Sequence, residues 1–329
     1  MAQIVGAFYT SHSQFCYSKP EFWNKTRGGR VLRADVPLDD METNQSKAER
    51  VRSSLATLKR KVAEAKPDVM VIFGDDQLEC FDFRNYPAFS VYVGESFEGY
   101  VVDRDTPMGM QPPPGTRKRM RVQGHPRFAT ALLSGLMRQG FDPSFCMDMP
   151  KPEEGLGHAF MRPVQSMTDF NIPVVPVLMN CFYAPQPSAA RCYALGKATR
   201  AVVEAMPENL RVALIGSGGL WHTPRKLGAW VNEAFDVEML AHLEKGDAHA
   251  MAAQFDSYQI PPDDSSQDVG VCGPEVTGMP GMGGPQGGTR ETCAWIAAAA
   301  AVEGVTTTIV DRVPIYASPI DTAYAYSNH

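Results

Sequence analysis

Polar side chains that could bind a metal or transfer protons follow four apolar runs of strand length. These side chains are His12, the cluster Asp75-Asp76-Gln77, Asn180 and His222. Imidazole and carboxylate groups are common ligands of transition metals, and imidazole also transfers protons near neutral pH. The pattern therefore indicates one polar site that is assembled from distant parts of the chain.

The elements that must position these side chains alternate between strands and helices. The apolar runs are Ile4–Tyr9, Val69–Phe73, Ile172–Met179 and Val212–Ile215, and helices are predicted over 126–139, 188–206 and 289–302. A further helix is predicted to begin at the capping box Ser46-Lys47-Ala48-Glu49. This alternation predicts an α/β fold with a mostly parallel sheet covered on both faces. Such sheets bind ligands beyond the carboxyl ends of their strands, where the polar side chains lie.

Two long loops are predicted within what we expect to be one catalytic domain over residues 1–329. The first covers 103–120, and the second covers 261–289, which is dense in glycine and proline. Because the second loop directly precedes Glu291, we interpret it as a wall or lid of the site, with a passive surface loop as the alternative.

Composition excludes several classes of protein. The net charge of −6 does not favour nucleic-acid binding, which requires a basic surface. The longest apolar run is too short to cross a bilayer, so no membrane association is predicted. Seven cysteines without a CxxC pair, and no secretory leader, predict a reduced, cytoplasmic protein.

Five motifs in a fixed order resemble those of a known family. They are Ser11-His12-Ser13, Gly74-Asp75-Asp76-Gln77, Gly157-His158-Ala159-Phe160, Ser217-Gly218-Gly219-Leu220 with His222, and Glu291 with Trp295. Their order is similar to that of the class III, LigB-type extradiol ring-cleavage dioxygenases, and most similar to 3-O-methylgallate dioxygenases and the catalytic subunit of protocatechuate 4,5-dioxygenase. The resemblance implies an αββα-type sandwich around a non-haem Fe(II), which opens a catechol-type ring with O2.

The resemblance also implies a set of metal ligands. His12 and Glu291 match the family's histidine and carboxylate ligands, whereas Gln77 stands where the protocatechuate-type pattern has its second histidine. Three alternatives follow from this departure. Gln77 binds the metal, Asp76 or Glu79 replaces it, or the site no longer holds iron.

The remaining site residues are expected to act on the substrate. His222 matches the family's acid–base histidine, and His158 matches a histidine that contacts the substrate hydroxyl. Asp76, Asn180 and Tyr183 are candidate substrate contacts, with ordinary turn chemistry as the alternative for Asn180 and Tyr183.

The predicted function is therefore an Fe(II)-dependent extradiol dioxygenase acting on a gallate- or protocatechuate-like aromatic diol with O2. The alternatives are a binding or scaffold protein that has lost the iron site, and a zinc-dependent hydrolase that uses the same residues. We expect a homodimer, with room for a small separate subunit.

Overall fold

An eight-stranded sheet with helices on both faces dominates the computed structural model, which describes residues 1–27, 32–105, 117–183, 186–222, 230–258 and 290–328. The strands are β1 (Gln3–Ser11), β2 (Val69–Asp75), β3 (Phe89–Tyr92), β4 (Ser96–Tyr100), β5 (Arg119–Gln123), β6 (Ser144–Cys146), β7 (Val174–Met179), β8 (Arg211–Gly218), β9 (Thr308–Ile315) and β10 (Ile320–Asn328). The helices are α1 (Trp23–Arg27), α2 (Met41–Ala65), α3 (Pro126–Arg138), α4 (His158–Met167), α5 (Ala189–Glu204), α6 (Glu233–Glu244), α7 (Ala248–Ser257) and α8 (Thr292–Ala301).

The strand order of the large sheet is β6-β3-β7-β2-β8-β1-β10-β9, and β4 and β5 form a separate hairpin. The four central strands β7, β2, β8 and β1 run parallel to one another, whereas β10 pairs antiparallel with β1 and β9 pairs antiparallel with β10. The predicted α/β class with a mostly parallel central sheet is confirmed. Because the central strands are parallel, their carboxyl ends lie at one edge, and this edge carries the predicted polar residues.

The two faces of the sheet are buried in two separate cores. Along β2, Val69, Val71 and Phe73 point into the core that also contains α3, α5 and α8. Met70 and Ile72, on the opposite face, point into the core that contains α2 and α4. Burial on both faces explains why the central strands read as continuous apolar runs rather than as alternating ones.

The start of α2 corrects a prediction. The expected start at the Ser46 capping box is wrong, because the helix begins at Met41. The carboxylate of Asp40 accepts a hydrogen bond of 2.8 Å from the backbone N–H of Thr43 and caps the helix there. Lys66 ends the helix in the left-handed conformation, with φ of 45°.

Two glycines of β8 allow the first turn of α8 to lie directly on the sheet. A Cβ atom on Gly216 would lie 2.9 Å from the Cα of Trp295, and one on Gly218 would lie 2.3 Å from the carbonyl oxygen of Glu291. Since contacts this short are not tolerated, glycine at these positions is what brings Glu291 to the carboxyl end of β8.

The predicted long loops fall mainly outside the described residues. Strand β5 begins at Arg119, so the last two residues of the predicted loop 103–120 belong to a strand. Segment 261–289, for which we predicted a wall or lid, lies outside the described residues. Of the helices that the structure describes, none combines the length and apolar character needed to cross a membrane.

Candidate active site

His12, Asp75 and Glu291 form a buried cluster at the carboxyl ends of the parallel strands. His12 follows β1, Asp75 is the last residue of β2, and Glu291 precedes α8. The Nε2 atom of His12 lies 3.0 Å from Oε2 of Glu291 and 3.5 Å from Oδ1 of Asp75. One ligand atom from each of the three residues lies within 4.8 Å of the others. This is the separation of groups that could share one metal ion.

Hydrogen bonds fix which nitrogen of His12 faces this cluster. The hydroxyl of Ser217 donates to the carbonyl oxygen of Ala159, so its proton is already used. The Nδ1 atom of His12, 3.1 Å from the same hydroxyl oxygen, must therefore donate to it. The lone pair of the neutral ring is then on Nε2, which is the atom that points at the two carboxylates.

The electrostatics of the cluster favour a cation. Asp75 is fully buried, and both this burial and the nearby charge of Glu291 raise the pKa of its carboxyl well above the usual value. Burial also acts to raise the pKa of Glu291, but His222 and His12 outweigh it, so the net shift is downward. Two buried carboxylates therefore share one site, and a positive charge between them would relieve their repulsion.

Gln77 contacts both carboxylates through its amide nitrogen. This nitrogen donates to Oδ2 of Asp75 and to Oε1 of Glu291, in both cases over 3.0 Å, and it lies 3.5 Å from Nε2 of His158. All three neighbours are acceptors, so the nitrogen end of the amide belongs there. The structure thus brings Gln77 to the cluster, although the atom that faces the carboxylates is a hydrogen-bond donor. The metal-ligand role of Gln77 stays a prediction.

Asp76 turns away from this cluster. Its carboxylate accepts hydrogen bonds from the backbone N–H groups of Leu78, Cys80 and Phe81, at 3.2, 2.7 and 3.2 Å. These bonds shape the loop that follows β2. The predicted substrate contact through Asp76 stays a prediction, and the observed role of its side chain is to fold this loop.

His158 begins α4 and is held by Glu79. The carboxylate of Glu79 accepts from the backbone N–H of His158 at 3.1 Å and from its Nδ1 at 2.7 Å. Burial raises the pKa of Glu79, but His158 outweighs it and brings the pKa to about 2. Glu79 is therefore ionised, Nδ1 of His158 donates to it, and Nε2 of His158 faces Gln77.

His222 contacts the other carboxylate oxygen of Glu291 from the one that Gln77 contacts. Its Nδ1 atom is 2.9 Å from the carbonyl oxygen of Leu220, which can only accept, so Nδ1 carries a proton. Its Nε2 atom lies 3.3 Å from Oε2 of Glu291. All three histidines of the site therefore point Nε2 inward, each with the outer nitrogen fixed by a different acceptor.

Asn180 and Tyr183 form a turn after β7. The Asn180 side chain donates to the carbonyl oxygen of Tyr183 at 2.6 Å and accepts from its N–H at 2.9 Å. The Tyr183 ring packs edge-on against Phe83 and Tyr86, with centroids 5.1 and 5.0 Å away. Turn formation is thus observed, while contact with a substrate stays a prediction.

The residues present fit a divalent metal. The Nε2 atom of His12 and Oδ1 of Asp75 are buried and make no hydrogen bond within the part of the chain that the structure describes. Buried polar atoms are nearly always paired, so two unpaired ones that face each other indicate a ligand between them. One imidazole and two carboxylates form a donor set for a divalent ion, and imidazole and carboxylate are the ligand types of non-haem Fe(II) sites.

Comparison with known protein families identifies the family of this chain. A family model described as "Catalytic LigB subunit of aromatic ring-opening dioxygenase" matches residues 36–261, which is more than half of the chain. The chain belongs to this LigB family. The family resemblance read from the sequence motifs is therefore confirmed.

The relatives of this LigB-family chain include ring-cleaving dioxygenases. Over 105 residues, 31% of this chain and 29% of the relative, it is 34% identical to gallate dioxygenase from Pseudomonas putida. Over 227 residues, 68% of this chain and 61% of the relative, it is 26% identical to 2,3-dihydroxyphenylpropionate/2,3-dihydroxicinnamic acid 1,2-dioxygenase from Klebsiella pneumoniae. The matched segments span less than two thirds of either relative.

One solved structure covers nearly the whole chain. This structure, of uncharacterized protein JW3007 from Escherichia coli K12, covers 98% of the chain with a TM-score of 0.48 and 14% identity. Likeness at this level carries no conclusion about function.

Sequence reasoning named Asp75, Ser217 and Glu79 but did not assign the roles that the structure gives them. The predicted ligands at the β2 loop were Gln77, Asp76 or Glu79, whereas the carboxylate that faces His12 and Glu291 is that of Asp75. A signal was present, because Asp75 has the same two-residue parity along β2 as Val71 and Phe73 and ends the strand at the binding edge. No sequence pattern marked Ser217 and Glu79 as the partners of His12 and His158.

Proposed function

We propose that this protein is an Fe(II)-dependent extradiol dioxygenase that opens the ring of a gallate- or protocatechuate-like aromatic diol with O2. The supporting observation is the buried cluster of His12, Asp75 and Glu291, in which Nε2 of His12 and Oδ1 of Asp75 face each other without a hydrogen-bond partner among the described residues. The family and the names of its relatives support the reaction class.

The metal is proposed to be held by His12, Asp75 and Glu291, with Gln77 beside it. Bound Fe(II) supplies the redox chemistry that lets O2 react with a catecholate. The protein's part is to present the Nε2 lone pair of His12 and two carboxylate oxygens in a dry site. Ser217 contributes by holding the His12 ring in the required tautomer.

His222 is proposed to act as the acid–base group. A catechol must release protons to bind as a catecholate, and ring opening requires that a proton be returned. The Nδ1 proton of His222 is tied to Leu220, so the exchangeable position is Nε2, which faces the site beside Glu291. His222 would accept the substrate proton at Nε2 and later return it from the same atom.

His158 is proposed to orient the substrate from its position beside Gln77 and His12. Its Nδ1 proton is held by the ionised Glu79, which leaves the Nε2 lone pair on the site side. Nε2 can therefore accept a hydrogen bond from a ring hydroxyl. Asp76, Asn180 and Tyr183 are retained as candidate substrate contacts, and Tyr183 would contribute an aromatic wall with Phe83 and Tyr86.

The balanced reaction takes up one O2 per ring. Both oxygen atoms enter the product, and one ring carbon–carbon bond beside a hydroxyl-bearing carbon breaks. No external reductant is consumed. We infer that the protein acts on this small aromatic diol as a cytoplasmic homodimer, without nucleic acid or membrane partners.

Oxygen uptake tests this proposal. The chain is reconstituted anaerobically with Fe(II) and mixed with catechol, protocatechuate, gallate and 3-O-methylgallate, while O2 and the ring absorbance are followed. The proposal expects one O2 consumed per ring lost for at least one of these diols. Iron binding without O2 uptake would contradict dioxygenase activity, and activity with Zn²⁺ on an ester or amide would favour a hydrolase instead.

A further inference from the structure

The segment that carries His222 is anchored by a buried carboxyl group outside the site. Both carboxylate oxygens of Asp236, on α6, lie 3.0 Å from the backbone nitrogen of Trp221, which donates to them. Asp236 has no exposed surface. Fully buried acidic side chains are rare, because their desolvation is costly unless they are hydrogen-bonded.

The peptide group that Asp236 holds is the same one that holds His222. The N–H of the Leu220–Trp221 peptide donates to Asp236, and the C=O of that peptide accepts the Nδ1 proton of His222 at 2.9 Å. A peptide group is planar, so fixing its N–H also fixes the direction of its C=O. Hydrogen bonds in such a chain also polarise one another, which strengthens the bond to the imidazole.

Among the described residues, the other contacts of the segment are made by the peptide groups on either side of the Leu220–Trp221 peptide. Strand β10 holds the outer groups, with the N–H of Asp321 donating to the Trp221 carbonyl oxygen at 2.8 Å and the Leu220 N–H donating to the Asp321 carbonyl oxygen at 3.4 Å. The hydroxyl of Thr292 holds the carbonyl oxygen of Gly219 at 2.8 Å. Asp236 is the residue that accepts from the N–H of the Leu220–Trp221 peptide.

We propose that Asp236 is a positioning residue for His222, acting through the Leu220–Trp221 peptide. An acceptor at Asp236 keeps the peptide N–H directed toward α6 and the peptide C=O directed toward the imidazole. The ring is thereby held in the Nδ1–H tautomer, with Nε2 beside Glu291. This inference rests on the proposed function of His222, and it adds a group that does not itself touch the substrate.

Among the described residues, no cation pairs directly with Asp236, and the carbonyl oxygen of its carboxyl group can accept from the Trp221 N–H whether or not the group is protonated. Asp321 is its charged neighbour, and burial together with this neighbour raises the pKa of Asp236 well above the usual value. The guanidinium of Arg312 pairs instead with Asp321 at 2.6 Å and with Glu233 at 2.8 Å, and Tyr316 also donates to Glu233 at 2.5 Å. An asparagine, which keeps a side-chain carbonyl oxygen, should therefore replace Asp236 in this role.

Two readouts on the full-length chain test the proposal. In chelator-treated protein labelled with ¹⁵N-histidine, the Nδ1–H signal of His222 is assigned by its disappearance in His222→Gln. We expect Asp236→Ala to lose this signal or to speed its exchange with water at least about tenfold. In the iron-reconstituted enzyme we expect a fall in kcat of about tenfold or more, with KM and iron content unchanged. Asp236→Asn should keep both readouts within about twofold of wild type.

Asp321→Asn is the matched control, because it changes the same buried network without removing the acceptor of the Trp221 N–H. It should lower the melting temperature and keep the His222 signal. Should Asp236→Ala fail to fold, Asp236→Ser keeps a polar group that is too short to reach the Trp221 N–H, and the same losses are expected.

The proposal is overturned by a folded Asp236→Ala or Asp236→Ser with an unchanged signal, by Asp236→Asn behaving as Asp236→Ala, or by Asp321→Asn losing the signal equally. The NMR readout requires no turnover. A wild-type enzyme that consumes no O2 would therefore refute the proposed function without deciding this inference.

Discussion

Two clusters near the end of β8 each bury a pair of carboxyl groups, and the charge of each pair is balanced differently. In the outer cluster, Asp236 and Asp321 have no exposed surface, and Arg312 donates to Asp321 at 2.6 Å. In the site cluster, Asp75 and Glu291 are equally buried but face imidazoles and the Gln77 amide. The outer cluster contains its own cation, whereas the site cluster faces only groups that can be neutral.

The position of Arg162 sharpens this difference. Its guanidinium donates to the backbone carbonyl oxygen of His12 at 2.5 Å. Among the described residues, it makes no hydrogen bond to the carboxylate of Asp75 or Glu291. Burial lowers the pKa of this arginine, although the nearby acids oppose the shift. The chain thus brings a cation close to the site without filling the position between Asp75 and Glu291. This difference supports the proposal that an external cation binds between Asp75 and Glu291.

His222, which lies between the two clusters, gives the largest expected effect. His222→Ala should lower kcat by about 10²- to 10⁴-fold, the range for loss of an acid–base group, because His12, whose Nε2 also faces Oε2 of Glu291, is proposed to hold the metal and cannot take over proton transfer. Steady-state O2 uptake measures this loss, and iron analysis provides the control. Loss of iron from His222→Ala, with normal turnover per remaining iron, would reassign His222 to the metal.

The outer cluster should respond to the loss of its cation through stability. Arg312→Met leaves Asp321 buried without its partner and should lower the free energy of unfolding by about 3 kcal/mol. Adding Asp321→Asn removes the stranded charge and should restore part of this loss. Denaturant titration of both variants measures the effect, and equal destabilisation by single and double variants would contradict the assigned pairing.

Glu79, a third carboxylate at the edge of the site, extends the comparison with a smaller, pH-dependent effect. Its pKa of about 2 lies below the usual 4.5 because His158 outweighs the effect of burial. A lowered folded-state pKa stabilises the protein above pH 4.5, and this contribution is lost as the pH falls toward 2.

Glu79→Gln should therefore destabilise the protein at pH 7 by between about 1 and 3 kcal/mol. The difference from wild type should shrink steadily below about pH 4.5. Denaturant titrations of both proteins between pH 3 and 7 measure it. A difference that does not change over this range would show that Glu79 acts by packing and not by charge.

Much of the fold follows from the sequence because the central strands are buried on both faces. Runs such as Val69–Phe73 are marked by continuous apolar character, and the order of strands and helices then favours a parallel sheet. Helix ends are less well determined. Ser46-Lys47-Ala48-Glu49 fits a capping box, yet Asp40 caps α2, since either cap satisfies the local rules and tertiary packing decides between them.

The site was predictable only in outline. His12 and Glu291 could be placed from motifs, and the structure brings them within 3.0 Å of each other. Asp75 and Gln77 both reach the cluster, so their positions along the chain do not decide which one binds a metal, and the proton positions depend on partners such as Ser217. These partners are distant in sequence, so no local pattern could have identified them.

Metal binding by wild type, His12→Ala, Asp75→Asn and Gln77→Leu tests the central claim most directly. Iron content after anaerobic reconstitution and the shift of melting temperature on adding Fe(II) are measured for each. We expect about one iron per wild-type chain, loss of iron and of the shift in His12→Ala and Asp75→Asn, and retained but weaker binding in Gln77→Leu. Without metal, Asp75→Asn should melt above wild type, because one of two repelling buried carboxylates is gone. Full iron content in Asp75→Asn together with loss of iron in Gln77→Leu would contradict the assignment of Asp75.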